Sequence, residues 1–402
     1  MDVQERLDAI LDITDSKICP HCLGRRFSDV MEGPGNRLRG ERLVEKFSLH
    51  LEGPCLVCGD VFERLDEAAL RVREKVDDLI LEYSSVLVGT RLPDDVLRID
   101  EEINRRLGIQ VEGIKREVNR ELGKRVTSIL RCPADFESPD LVITVDLRGQ
   151  IRVHVQINPI FIEGRYRKLV RGIPQTKWPC RSCRGRGCSR CDYTGKMYPT
   201  SVEELISEPV LEATGGSDSK FHGSGREDVD VRMLGTGRPF VLEIKEPAIR
   251  TPDLRALEDE INRRARGMVE VADLRFSSRN RKVELKESSR KKYKVYRAIV
   301  ELEGAVSDED LVKLEKLDLI RQRTPLRVSH RRADRIRERR VLEISWKRLD
   351  DHLELIIKAE GGLYIKELIS GDSGRTEPSV SSILGVPARC ASLDVLEVGE
   401  PA

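Results

Sequence analysis

A chain of 402 residues exceeds what one ordinary hydrophobic core organises, so two or three domains are expected. Hydrophobic residues make up 39% and charged residues 35% with a net charge of +1, and no apolar run approaches the roughly 18 residues of a membrane span. A membrane-spanning chain is thereby excluded, and ten cysteines behind the amphipathic start "MDVQERLDAILD" predict metal ligation in a cytoplasmic protein rather than disulfides.

In chain order, Val3, Leu7, Ile10 and Leu11 share one helical face. A cysteine pair, "CPHC" (Cys19, Cys22), is followed by a second, "CLVC" (Cys55, Cys58). Phe62, Leu65, Ala69, Val72, Val76 and Leu79 recur at three- and four-residue steps, which predicts an amphipathic helix, with a short buried strand over 84–89. The stretch 99–126 reads as two helices broken at Gly108 and Gly113. "VITVDLRGQIRVHVQI" alternates on both sides of Arg148-Gly149 and predicts a hairpin over 142–157.

Beyond about residue 200, strands are expected at 229–234, 240–245, 294–303 and 352–359, with helices at 253–266, 308–316 and 363–369. Mixed order with long excursions predicts an α+β fold on a mixed, mainly antiparallel sheet with flanking helices.

The near-neutral total hides segregated charge. Residues 165–196 carry ten Lys/Arg against Asp192 alone, 275–297 carry ten against Glu284 and Glu287, and 321–340 is denser still. Such runs are either solvated helix faces or the footprint of a polyanionic partner; three in one chain favour the latter. The last, "RVSHRRADRIRERR", reads as a mobile arm suited to gripping RNA.

Zinc takes four soft ligands in a tetrahedron, and each C-x2-C turn supplies two thiolates from one loop. Cys19, Cys22, Cys55 and Cys58 form one candidate structural site, with His21 a rival ligand. "CRSCRGRGCSRC" (Cys180, Cys183, Cys188, Cys191) forms a second, more compact one, and its interleaved Arg184 and Arg186 would face a phosphate backbone. Cys132 and Cys390 are left over as small hydrophobes.

In "HGSGREDVDVRMLGTGRPFVLEI" (222–244), two carboxylates, Glu227 and Asp228, stand between Arg226 and Arg232 where a glycine-rich loop meets a strand. By residue type alone this is either a solvated turn or a reactive carboxylate held beside a cation. The stretch resembles the catalytic-aspartate motif of the pseudouridine synthases, specifically the tenth family, which modifies uridines 54 and 55 in the TΨC loop of tRNA. "IFIEGRYRKLVRGIPQTKWPC", "KVYRA" (294–298), "TPLRVSHRRAD" and "GGLYIKELISGDSGRTEPSVSSILG" (361–385) resemble further blocks of that family, and the likeness extends over nearly the whole chain.

The resemblance implies three regions: an N-terminal zinc-knuckle segment (1–60), a THUMP-containing RNA-binding domain with the second cysteine set (61–198), and a catalytic domain (199–402). It implies Asp228 as the catalytic aspartate, Tyr296 as the aromatic against the target uracil, Lys366 as the aspartate's cationic partner and Leu368 as an apolar floor. Tyr293 is a rival for Tyr296, and Arg375 for Lys366. Tyr364, Arg375, Arg226 and Arg232 are candidate substrate contacts. Arg165, Arg167, Lys168, Arg171, Arg184, Arg186, Arg331 and Arg332 are candidate RNA contacts. Family relatives carry Glu at the position of Glu227, where synthases outside the family have Thr; its role is open. The implied activity is isomerisation of uridine in tRNA with zinc as a structural ion and no organic cofactor. The alternative is a non-catalytic, zinc-containing tRNA-binding protein.

Overall fold

The computed structural model describes residues 2–33, 35–288, 292–330 and 332–401. They form two compact units, Met1–Asn158 and Pro159–Ala402. Among the described residues, no helix is long and apolar enough to cross a membrane.

The first unit contains α1 (Val3–Thr14), α2 (Pro20–Arg25), α3 (Asn36–Lys46), α4 (Leu65–Asp77), β1 (Val86–Arg91), α5 (Asp94–Leu107), α6 (Ile114–Leu130), β2 (Leu141–Asp146) and β3 (Arg152–Ile157). Asp2 starts α1 by accepting the Glu5 N–H, while the Glu5 carboxylate answers the Asp2 N–H, a reciprocal cap. The expected amphipathic helix is α4, which buries Leu65, Ala68, Ala69, Val72 and Val76. β1 pairs parallel with β2, and β2 forms the expected hairpin with β3, from Leu141 opposite Ile157 to Asp146 opposite Arg152.

The second unit comprises β4 (Ile160–Lys168), α7 (Val202–Thr214), β5 (Asp218–Gly223), β6 (Val231–Lys245), α8 (Leu254–Arg264), β7 (Val269–Ser277), α9 (Arg279–Ser288), β8 (Lys292–Leu302), α10 (Asp308–Val312), β9 (Leu319–Arg323), β10 (Ile336–Arg348), β11 (Leu353–Glu360), α11 (Ile365–Ser370), β12 (Thr376–Glu377), α12 (Val380–Leu384) and β13 (Ala388–Pro401). Its sheet runs β12-β9-β10-β11-β8-β13-β6-β4-β7, with β5 on β6. Its pairs are antiparallel except β13 with β6. The α+β class and the mainly antiparallel sheet follow the sequence reading.

Three details differ from it. Residues 159–198 pack with the second unit, because β4 lies between β6 and β7. The two strands expected at 229–234 and 240–245 are one continuous strand, β6. The basic run 321–340 is not a free arm: β9 and β10 pair from Arg340 opposite Leu319 to Ile336 opposite Arg323, and Arg323 grips Asp334 across the connecting turn at 2.5 Å.

Candidate active site

Residues 224–230 connect β5 to β6, and this loop is held from beneath by buried polar groups. The Glu227 carboxylate, 4% exposed, accepts from the Tyr166 hydroxyl at 2.9 Å and from Arg238 Nε at 2.9 Å. Arg238 Nη1 donates to the Ser224 carbonyl at 2.8 Å, and Gln175 Nε2 donates to the Gly225 carbonyl at 3.0 Å. Lys168 Nζ donates to the carbonyls of Asp228 (3.1 Å), Val229 (3.2 Å) and Ile173 (2.9 Å). Gly225 has φ 82°, which side chains rarely adopt, and a Cβ there would crowd Arg238 Nη1 at 3.0 Å, so both favour glycine. Glu227, whose role the sequence left open, is therefore the anchor of the loop. Burial, followed by the charge of Glu227, pushes the Tyr166 phenol well above its ordinary range. Burial, followed by the neighbouring Arg238 charge, pulls the Lys294 amine down to about 7.

On this base the Asp228 side chain is one-third exposed. Its Oδ2 lies 2.6 Å from Arg327 Nη1 and 3.9 Å from Lys366 Nζ. Lys366 sits closer to Asp230, at 2.6 and 2.8 Å. Arg327 also donates through Nε to the buried Glu367 at 2.6 Å and stands 5.8 Å from the Tyr364 ring centroid. The Tyr364 backbone is fixed in turn by Gln322, which accepts its N–H at 2.9 Å and donates to its carbonyl at 3.0 Å. The close cation on the aspartate is thus Arg327, to which sequence reading gave no role; its signals were membership of the basic run before β10 and of the block "TPLRVSHRRAD".

Tyr296 on β8 is 7% exposed, and burial pushes its phenol up to about 12. It shares a core with the fully buried Leu368. Its rival Tyr293 donates to Glu397 at 2.6 Å and lies beneath Lys358. A carboxylate on a rigid loop between two cations is arranged for nucleophilic or proton-transfer chemistry.

Several expected contact residues are engaged within the protein. Lys168, expected to face RNA, is fully buried under the loop. Arg232 and Arg171, together with Arg297, converge on Asp394, with Nη2 of Arg171 at 2.6 Å and Nε of Arg232 at 2.8 Å. Against the cost of burial, these guanidinium groups hold the Asp394 carboxyl at about 2. Arg375 donates to the Thr324 carbonyl at 2.7 Å, Arg165 donates to those of Thr236 and Gly237, and Arg167 pairs with Glu270. Arg226 is exposed, with its guanidinium 5.1 Å from the Trp178 ring centroid. Arg184 and Arg332 are exposed, Arg186 donates to the Cys183 carbonyl, and Arg331 lies outside the described residues.

Both cysteine sets converge, the four Sγ atoms of each lying within 4.8 Å of one another. Four thiolates about 2.3 Å from a tetrahedral zinc stand roughly 3.8 Å apart. The Cys19–Cys58 separation is 3.7 Å, Cys183–Cys191 is 3.9 Å and Cys188–Cys191 is 3.8 Å, so both sets fit such an ion. His21 is not in the first set: it stacks on Phe62 at 4.0 Å, with Nδ1 2.8 Å from Glu117. The buried Arg25 guanidinium, fixed by Asp100 and Glu117, approaches Cys22 Sγ at 3.8 Å and offsets thiolate charge. In the second set, N–H groups of Gly187, Cys188 and Gly195 point at Cys183 and Cys191 sulfurs at 3.2 to 3.3 Å. Gly195, at φ 71°, passes so near Gly185 that a Cβ would lie 2.4 Å from its carbonyl oxygen.

Two family models match the chain: "Pus10, C-terminal" over residues 161–399 and "Pus10 THUMP domain, archaeal" over residues 69–146. The tRNA pseudouridine synthase Pus10 of Methanosphaera stadtmanae is 41% identical over 399 residues, 96% of each chain. That of Methanocaldococcus jannaschii is 50% identical over 350 residues, 86% of this chain and 75% of the relative. A domain-length match across the Asp228 loop and its sheet, joined to end-to-end similarity, settles kinship: this chain belongs to the Pus10 family of tRNA pseudouridine synthases.

Proposed function

We propose that the chain isomerises uridine to pseudouridine in the TΨC loop of cytoplasmic tRNA, at position 54, 55 or both, with Asp228 as the catalytic carboxylate. The observation that carries this reading is the placement of Asp228 between Arg327 and Lys366, above the buried Glu227–Arg238–Tyr166 network.

The reaction breaks the N-glycosidic bond, turns the base and rejoins it through C5, so it needs no net oxidation or reduction. Asp228 acts at the sugar or base, and the two cations complement the charge that moves during bond cleavage. Because the uridine leaves its stack to be reached, Tyr296 on β8 replaces lost stacking. Glu227 and Lys168 position the loop and touch no substrate. Each cysteine set holds one zinc ion, four-coordinate and closed, which shapes its loop and takes no part in the chemistry.

The test is Asp228→Ala with an unmodified tRNA transcript. Pseudouridine formation is expected to vanish while the Kd for tRNA stays within about twofold, since phosphate contacts dominate affinity. Persistent product would remove Asp228 from the chemistry, and mapping the modified positions in the wild-type reaction decides between 54 and 55.

A further inference from the structure

The second cysteine set does more than close a loop: a cavity of about 500 Å³ opens beside it. Its lining includes Arg181, Arg190 and Lys196, the Tyr198 ring, and one acid, Asp192. Lys196 is held by Glu204 at 2.5 Å. Among the described residues, Arg190 reaches only the Ser182 hydroxyl, at 3.3 Å, and Arg181 has no carboxylate partner. Two exposed guanidinium groups thus stand over a pocket large enough for a nucleotide, free of the internal pairing that engages Arg165, Arg167 and Arg171.

The pocket is physically joined to the catalytic loop. Pro179 bridges to Lys196, and the Met197 N–H donates to the Trp178 carbonyl at 2.9 Å, so Trp178 forms the base of the knuckle. The Trp178 indole packs edge-on against Tyr198 at 5.5 Å. The same ring carries the guanidinium of Arg226, two residues before Asp228, 5.1 Å from its centroid. Tyr198, Trp178, Arg226 and the aspartate loop therefore form one continuous path from the cavity to the carboxylate. An RNA strand following these contacts away from Asp228 would meet Arg226, Trp178 and Tyr198 in turn. Arginine forks suit phosphate oxygens, and an aromatic face suits a base.

We infer that the pocket between Arg181, Arg190 and Tyr198 binds a nucleotide of the RNA strand flanking the target uridine, its phosphate on the arginines and its base against the tyrosine. This deepens the proposed function and rests on it.

The experiment compares Arg181→Glu/Arg190→Glu with wild type in the full chain, using the unmodified tRNA transcript. The Kd is expected to rise tenfold or more, and its log–log salt slope to shrink by roughly 1.4 to 1.8, the loss of two phosphate contacts. Arg181→Lys/Arg190→Lys, which keeps both charges, should restore the slope. In parallel, transcripts carrying 4-thiouridine at positions beside the target are irradiated with the wild-type protein, and the cross-link is expected within 178–199. That arm decides should the charge-reversed variant fail to fold. Wild-type affinity and slope in a folded variant, or cross-links wholly outside 178–199, would overturn the inference while pseudouridine formation by wild type leaves the proposed function standing. Absence of product with wild type would instead remove that function.

Discussion

Arg327 and Asp228, 99 positions apart in the chain, meet at 2.6 Å, and the same guanidinium is held by Glu367. The turn between β9 and β10 thereby supplies the nearest cation to the carboxylate that leads into β6. Lys366, from α11, is second in line, because Asp230 takes its closer contacts.

This ordering predicts unequal losses. Arg327→Gln should lower the single-turnover rate about 10²-fold, the scale of removing one preorganised donor from developing charge. Lys366→Gln should cost less, and tRNA Kd should move little in either variant. A larger loss for Lys366→Gln would reverse the assignment.

Glu227 and Arg238 form a pair that is fully buried on both sides. Glu227→Ala leaves Arg238 without its carboxylate in the core, so the chain should lose about 3–5 kcal/mol in urea unfolding. The loop above loses its anchor too, and activity should fall even under conditions where the variant remains folded. Stability equal to wild type would mean that the pair does not hold the loop.

Lys294 titrates at about 7 in the folded chain because burial, and then Arg238, disfavour its ammonium, with Glu227 opposing. The unfolded chain keeps this proton to about 10.4. Between those values the unfolded state binds more protons, so this group makes stability rise with pH by about 1.4 kcal/mol per unit. Below pH 7 both states are protonated and the burial cost is carried in full. Lys294→Met should therefore be more stable than wild type at pH 6, with the difference shrinking by pH 9.5. Denaturant midpoints at pH 6, 8 and 9.5 provide the comparison; parallel curves would show that Lys294 does not titrate as described.

Metal analysis of the purified chain is expected to give two zinc ions. Cys22→Ser and Cys183→Ser should each leave about one. Cys22 is buried in the core of the first unit, so its loss should lower the thermal midpoint more than loss of the more peripheral Cys183. Full zinc occupancy in Cys183→Ser would mean that the second set is not a site.

Local periodicity made much of the scaffold legible before any coordinates. α4 and the β2–β3 hairpin each bury one regularly spaced face, and the C-x2-C spacing brought each cysteine set together. Asp228 could be singled out only through the resemblance of its block to the pseudouridine synthases, since residue type left a solvated turn equally open. The partners of that loop were not legible. Glu227 and Arg238 look in sequence like surface charges, and only the sheet shows that both side chains point into a closed interior. Arg327 is one arginine among many until β9 and β10 pair. Arg171 read as an RNA contact and Arg232 as a substrate contact because nothing near them in sequence reveals Asp394, 162 positions beyond Arg232.

The placement of β13 bears on biosynthesis. This strand lies between β8 and β6, so the strand carrying Tyr296 and the strand entered from Asp228 are not neighbours without it. While a nascent chain emerges from the ribosome, its two half-sheets expose open edges at β6 and β8 until residues 388–401 arrive to zip them together. Closure of the sheet across β6 and β8 is therefore expected to wait for β13, and the two strands flanking the site come into register only through it.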